Sequence, residues 1–264
     1  MKSFMKIRGD IGRKCYISGT ILSFMCILLL WYLLSANNIV DKTFLPLPTD
    51  VVSNLISSIK DHSLITNMEI SIFRISAGFL LAAVIGVPLG ILVGSFKIIE
   101  SIVQPFTEFA RYMPVPAFVP LIMVWVGIGE EAKIMVIFIG TLFQLVLMAA
   151  DNVRSVPDDI LNVAYTLGAS KRQVLLKILI PHMMPKLMDT LRLMIGWAWT
   201  YLVVSELVAA NSGLGYSILK AQRFLRTDAI FSGLLVIGLL GLITDRLFAL
   251  LNKSMFSWAE GGGV

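Results

Sequence analysis

Residues 75–96 read ISAGFLLAAVIGVPLGILVGSF, twenty-two consecutive residues without a charge. A bilayer core of about 30 Å takes roughly 20 apolar residues of helix to cross, so this stretch alone is long enough to span a membrane. It carries Gly78, Ala82, Gly86, Gly90 and Gly94, a small residue at every fourth position. Residues four apart share one face of a helix, and small side chains on that face let a second backbone come close. Gly86, Gly90 and Gly94 are therefore read as a helix-packing face, with Pro88 adding an expected bend.

Outward from this stretch, five more spans are expected. Residues 16–36 are uncharged; 101–126 are interrupted by Glu108, Arg111, Pro114 and Pro116 and read as a broken or deeply bent helix; 134–150 follow; 187–210 contain Glu206; and 229–251 contain Asp245 and Arg246. Composition agrees: hydrophobic residues are 57% of the 264, charged residues 15%, and mean hydropathy is +0.83. Soluble domains run nearer about 45–50% apolar and about 25% charged, so a soluble globular domain, a disordered chain and a collagen-like fibre are excluded. A disulfide scaffold is excluded as well, because Cys15 and Cys26 lie on one helical stretch roughly 16 Å apart, beyond the span of about 4.4 to 6.8 Å that a disulfide bridges. The fold class is all-α, a polytopic membrane protein with about six transmembrane helices. Residues 1–15 read as an N-terminal segment, 16–252 as the transmembrane domain and 253–264 as a tail whose Gly261-Gly262-Gly263-Val264 is assigned no role.

The uncharged run that begins at Cys15 extends to Val40, longer than the core of a secretory signal, and reads as a retained helix. Lys and Arg number fifteen on the side of both termini and seven on the other, with Arg111 counted on the terminal side. The positive-inside rule then places both termini in the cytoplasm. The net charge of +5 is topology and gives no reason to expect nucleic acid.

Two inter-span segments carry more. After the stiff Leu45-Pro46-Leu47-Pro48, Thr49 or Asp50 is expected to cap an amphipathic interfacial helix with Val51, Val52, Leu55, Ile56 and Ile59 on one face. In the 151–186 segment, Pro157, Asp158 and Asp159 open a helix whose narrow apolar stripe is Ile160, Leu161, Ala164 and Leu167. Gly168 stops it with left-handed geometry. Ser170 and Gln173 form a capping box for a second helix, which Pro181 is expected to end. A helix, glycine, helix element on the cytoplasmic face offers a short knob to a soluble partner.

Asn162-Val163-Ala164, Gly168 and Ile178-Leu179-Ile180-Pro181 resemble the Glu-Ala-Ala-x3-Gly-x9-Ile-x-Leu-Pro loop of binding-protein-dependent ABC importer permeases, with the spacing kept at every position. Phe44-Leu45-Pro46-Leu47-Pro48, Arg74 to Gly94, Gly127-Ile128-Gly129-Glu130-Glu131, Thr166-Leu167-Gly168-Ala169-Ser170 and Gly213-Leu214-Gly215-Tyr216 look like the nitrate, sulfonate, taurine and bicarbonate branch. The resemblance covers about residues 40 to 252. It implies a type I ABC importer (MetI-like) permease fold in a bacterial-type cytoplasmic (inner) membrane. The 157–181 loop would be the coupling helix, with Leu161, Asn162, Ala164, Leu167, Gly168, Ala169, Ser170 and Pro181 set against a cytoplasmic ATPase. Implied partners are an ATP-binding cassette ATPase dimer holding ATP and Mg, an extracytoplasmic solute-binding protein and a second permease copy, as a homodimer. The cargo would be a small oxyanion such as nitrate, a sulfonate or bicarbonate. The sequence departs from the pattern at Asn162, where the family has Glu.

No Gly-x4-Gly-Lys-Ser/Thr phosphate loop occurs in the sequence, so ATP chemistry is expected in a partner and no cofactor in this chain. No catalytic constellation is present, and His62 and His182 belong to no metal-ligand cluster. Intramembrane ionisable groups are functional candidates. Glu206, on a face with Gly196, Trp199 and Val203, either lines the passage or accepts hydrogen bonds from a neighbouring helix or loop. Gln144 meets a passing solute or bonds another helix. Arg192 with Asp189, and Asp245 with Arg246, read as interface pairs. A stand-alone secondary carrier or channel is the alternative, although no related halves are visible.

Overall fold

The computed structural model describes residues 12–258. The elements in order are α1 (Arg13–Ala36), α2 (Pro48–Lys60), α3 (Ser63–Ser95), α4 (Lys97–Arg111), α5 (Val115–Val126), α6 (Glu130–Arg154), α7 (Asp158–Thr166), α8 (Lys171–Val174), a π-helical turn (Leu175–Leu179), α9 (Ile180–Ala209), α10 (Leu214–Arg223) and α11 (Thr227–Met255). No strand occurs among the described residues, and the glycine-rich end lies outside them. Five helices are long and apolar enough to cross a membrane, or six when α4 and α5, bent by 104° at their junction, count as one broken span.

Helix α3 is the axis of the bundle, and its glycines explain how α6 reaches it. A Cβ on Gly78 would stand 2.7 Å from Ile137 Cβ, one on Gly90 2.5 Å from the Val146 carbonyl, and one on Gly94 2.6 Å from Val153 Cβ. Contacts that advance in step along both chains make α3 and α6 parallel, so the α4–α5 pair between them must carry the chain from one end of the bundle back to the other. Lipid tails are as apolar as leucine, so this close backbone approach, not hydrophobic exclusion from water, holds the pair. Around it, Ile75, Phe79, Ile137, Leu145, Met194, Ala198, Leu202 and Leu240 form the core shared by α3, α6, α9 and α11.

Helix α1 is exposed along almost its whole length and is tethered at its end, where Ser35 Oγ donates to Leu45 O at 2.8 Å and Trp31 Nε1 to Pro46 O at 2.9 Å. The chain then enters α2 at Pro48, whose fixed φ suits a first helical position. Leu47 therefore occupies the cap position, and neither Thr49 nor Asp50 caps the helix as expected. The amphipathic face also divides. Val51 is buried, with Ser232 Oγ of α11 donating to its carbonyl at 3.1 Å, while Val52, Ile56 and Ile59 stay exposed.

Pro181 does not end a helix. Ile180 N–H reaches back five residues to the Leu175 carbonyl, and this widened turn relieves the clash a proline ring makes with the carbonyl four residues earlier. The chain continues as α9, so the helical path that crosses the bundle starts at Lys171, well before residue 187.

Candidate functional site

The loop element of residues 155–181 is built from local signals. Asp158 and Asp159 fill the first turn of α7, where carboxylates meet the positive end of the helix dipole. The helix closes as a Schellman motif: Gly168 N–H bonds Tyr165 O at 2.9 Å and Ala169 N–H bonds Ala164 O at 3.0 Å. That closure needs a residue in left-handed conformation, and Gly168 has φ +83°. Two residues on, Ser170 and Gln173 form the reciprocal capping box that starts α8.

The apolar stripe of α7 splits between two faces. Ala164 is buried, and Leu161 packs against the cluster of Ala149, Val153, Val156, Leu179, Met183 and Leu187, which anchors α7 to the ends of α6 and α9. Leu167 is 82% exposed and Val163 59%, with Ile160 and Tyr165 also exposed. Asn162 stands on the exposed side as well. The element thus presents a small apolar knob that its own bundle does not cover.

At the opposite end of the bundle Glu206 does not line an opening. It is fully buried, accepting from Ser71 Oγ, Arg74 Nη1 and Gly215 N–H, each at 2.7 Å. Arg74 uses all five of its donors: Nε and Nη2 hold Glu130 in a two-point pair at 2.6 and 2.7 Å, and the remaining bonds go to Glu206, Ser212 O and Ser212 Oγ. Lys133 adds a 2.7 Å bond to Glu130, so two carboxylates face two cations and the cluster is neutral. Asn67 and Ser71 accept from the N–H groups of Gly213 and Leu214. Gly213 has φ +107° and a Cβ there would collide with the Glu206 carboxylate, which explains the glycine of Gly213-Leu214-Gly215-Tyr216. The cluster fastens the loop after α9 onto α3 and α6.

Trp199 also faces inward, its indole N–H donating to Thr244 Oγ1 of α11 at 3.1 Å, and Val203 is partly buried. The open side of α9 carries Leu193, Trp197 and Tyr201, one turn apart, and these line a cavity of about 420 Å³ with Arg111 and Gln144. Gln144 is the one expected path residue that the fold brings to this cavity. Arg192 pairs across helices with Asp245 at 2.6 and 2.7 Å and not with Asp189, which accepts from Asn252 at 2.8 Å.

Residues 86–257 match the family of binding-protein-dependent transport system inner membrane components. The chain belongs to that family of ABC importer permeases. Among its relatives, the Bacillus subtilis permease SsuC, whose name gives aliphatic sulfonates, is 32% identical over 96% of this chain and 92% of its own length. The Escherichia coli taurine transport permease TauC is 30% identical over 96% and 94%. The Synechococcus elongatus bicarbonate transport permease CmpB is 32% identical over 73% and 70%. The permease also shares its fold with a chain of the MetNI methionine ABC transporter in an inward-facing form, at TM-score 0.60 and 18% identity, covering 71% of this chain and 95% of that one.

Within the permease, sequence reading located the loop element and missed the Arg74 cluster and the wall of the cavity. One signal for the first was present: Arg74 is four residues before Gly78 and so continues the series that faces α6. Arg111 was counted with the loops because it sits at an interruption, and the structure sets it at the end of α4 on the wall of the cavity.

Proposed function

We propose that the permease works as one of two identical copies, joined to an ATP-binding cassette ATPase dimer on the side of α7 and to an extracytoplasmic solute-binding protein on the other, and imports a small oxyanion. Both termini lie in the cytoplasm, residues 16–252 form the transmembrane domain, and ATP and Mg are bound and used by the ATPase. The observation that carries the reading is the α7 knob, with Val163 and Leu167 exposed on a helix closed rigidly by Gly168 and anchored through Leu161 and Ala164 to the ends of α6 and α9. A load applied to that knob passes directly into two spans. Leu161, Asn162, Ala164, Leu167, Gly168, Ala169 and Ser170 form or position the docking surface, and Pro181 sits where the π-helical turn joins the loop to α9. The cargo class, a sulfonate or bicarbonate, follows the names of the relatives.

The test is purification in detergent with the ATPase co-expressed, intact-complex mass measurement, and uptake into proteoliposomes with and without ATP and the binding protein. Two permease copies with two ATPases and uptake that needs both additions are expected. ATP-independent uptake by the permease alone would return the chain to the class of secondary carriers.

A further inference from the structure

The cavity beside α9 contains an arginine that the coupling and packing of the fold leave unused. Its wall includes Gly140 and Gln144 of α6; Gly140 is about 15 Å along the helix from Glu130 and about 21 Å from Arg154. The cavity is therefore at the middle of the membrane, and Arg111, at the broken end of α4, is there with it. Arg74, Lys133 and Arg192 each meet a carboxylate. Among the described residues Arg111 meets none: one N–H donates to Tyr112 Oη at 2.9 Å, and its guanidinium lies 4.8 Å over the Tyr112 ring. The residue itself is exposed and lines the cavity. A cation at this depth is costly and is retained where it has a task.

The remainder of the wall defines that task. Among the described residues Arg111 is the only charged side chain on it; Gln144 and Tyr201 add neutral polar groups, and Phe118, Phe143, Met148 and Trp197 are apolar or aromatic. Gly140 allows the Tyr201 ring to lie against α6, since a Cβ there would stand 2.8 Å from it. We infer that this cavity is a transient binding site for an organic anion on its way through the membrane, with Arg111 and Gln144 holding an oxyanion head and the aromatic wall holding a short apolar body. A bare inorganic anion would use the head contacts alone, and a cation would be repelled. The inference rests on the import function proposed above and adds the residues that touch the cargo.

Calorimetric titration of the permease–ATPase complex in nanodiscs, without binding protein, tests it. The probes are sodium 1-butanesulfonate, sodium butanoate, sodium nitrate and butylammonium chloride. Saturable binding of butanesulfonate or butanoate is expected, with nitrate weaker and butylammonium absent; the stronger of the first two names the head group. Arg111→Gln should weaken binding about tenfold or more, the loss of a charged hydrogen bond, and Arg111→Lys should recover part of it. If Arg111→Gln fails to assemble, Trp197→Ala and Gln144→Leu replace it, the first weakening butanesulfonate but not nitrate, the second weakening both. Absence of saturable binding to the wild type, unchanged affinity in these variants, or equal binding of butylammonium overturns the site. Loss of the ATPase during purification shows before any probe is added, and counts against the import function instead.

Discussion

Arg74 on α3 and Glu206 on α9 meet at 2.7 Å with both side chains fully enclosed, although 132 positions separate them in the chain. Neither charge has water to turn to, so each depends on the other and on Ser71, Glu130 and the loop amides. Removing one member of a buried pair costs about 3–5 kcal/mol, because the partner is left unpaired. Glu206→Leu should therefore lower the thermal stability of the purified permease strongly. Glu206→Gln should lower it less, since an amide oxygen still accepts from Arg74 or Ser71 while its NH2 group faces the Gly215 N–H. Pairing Glu206→Leu with Arg74→Met should recover part of the loss, Glu130 keeping Lys133. Additive losses in a double-mutant cycle of thermal unfolding would mean that the two residues are not coupled.

The glycines of α3 are not equivalent. A methyl group on Gly90 would press on the Val146 carbonyl at 2.5 Å and on Ala149 Cβ at 2.6 Å, both parts of a rigid helix, whereas on Gly86 it would meet the flexible end of Leu142 at 3.3 Å. Gly90→Ala should separate α3 from α6 and cost about 1–3 kcal/mol as overpacking. Gly86→Ala should be near neutral or slightly stabilising, helped by the higher helix propensity of alanine. Thermal-shift measurement of the two variants side by side decides it, and equal midpoints would refute the ordering.

Spans and the loop element were legible in the sequence because each depends on neighbours in the chain. A run such as residues 75–96 states its environment directly, and Gly168, Ser170 and Gln173 specify a Schellman closure and a capping box within a few residues. What could not be read depended on distant partners. Arg74 looked like a loop charge until Glu130, Glu206 and Ser212 surrounded it. Arg111 looked like a loop charge until the bend at residues 112–114 set it on a cavity wall shared with Gln144 and Tyr201. Pro181 looked like a terminator because a proline removes a donor, but a π-helical turn five residues long absorbs the defect. Glu206 left two readings open, and the choice between them lay in Ser71 and Gly215, which no periodicity connects to it.

The split stripe of α7 predicts opposite results from two substitutions of the same kind. Leu167 is exposed and touches little of its own chain, while Ala164 is enclosed. Leu167→Asp should leave permease yield and unfolding temperature near wild type while reducing the ATPase that co-purifies and the ATP-driven uptake. Ala164→Asp should lower stability itself, because a carboxylate would enter an apolar contact without a partner. If Leu167→Asp keeps full ATPase association, Leu167 is not part of the docking surface.

Gly168 gives the sharpest separation between conformation and packing. Its φ of +83° is a region L residues rarely occupy, yet nothing lies within 4 Å of where a Cβ would stand. Strain from a substitution there is therefore backbone strain alone. Asparagine, which visits left-handed geometry more readily than other residues, should be tolerated, and alanine should cost about 1 kcal/mol. Valine, β-branched and disfavoured at positive φ, should open the Schellman closure and change the angle between α7 and α8. The expected order of ATP-driven uptake is glycine, asparagine, alanine, valine, with membrane insertion unchanged in all four and ATPase association falling in the same order. Side-chain volume alone would instead put alanine above asparagine. Finding alanine above asparagine, or valine at full uptake, would show that the left-handed turn at Gly168 does not set the presentation of the knob.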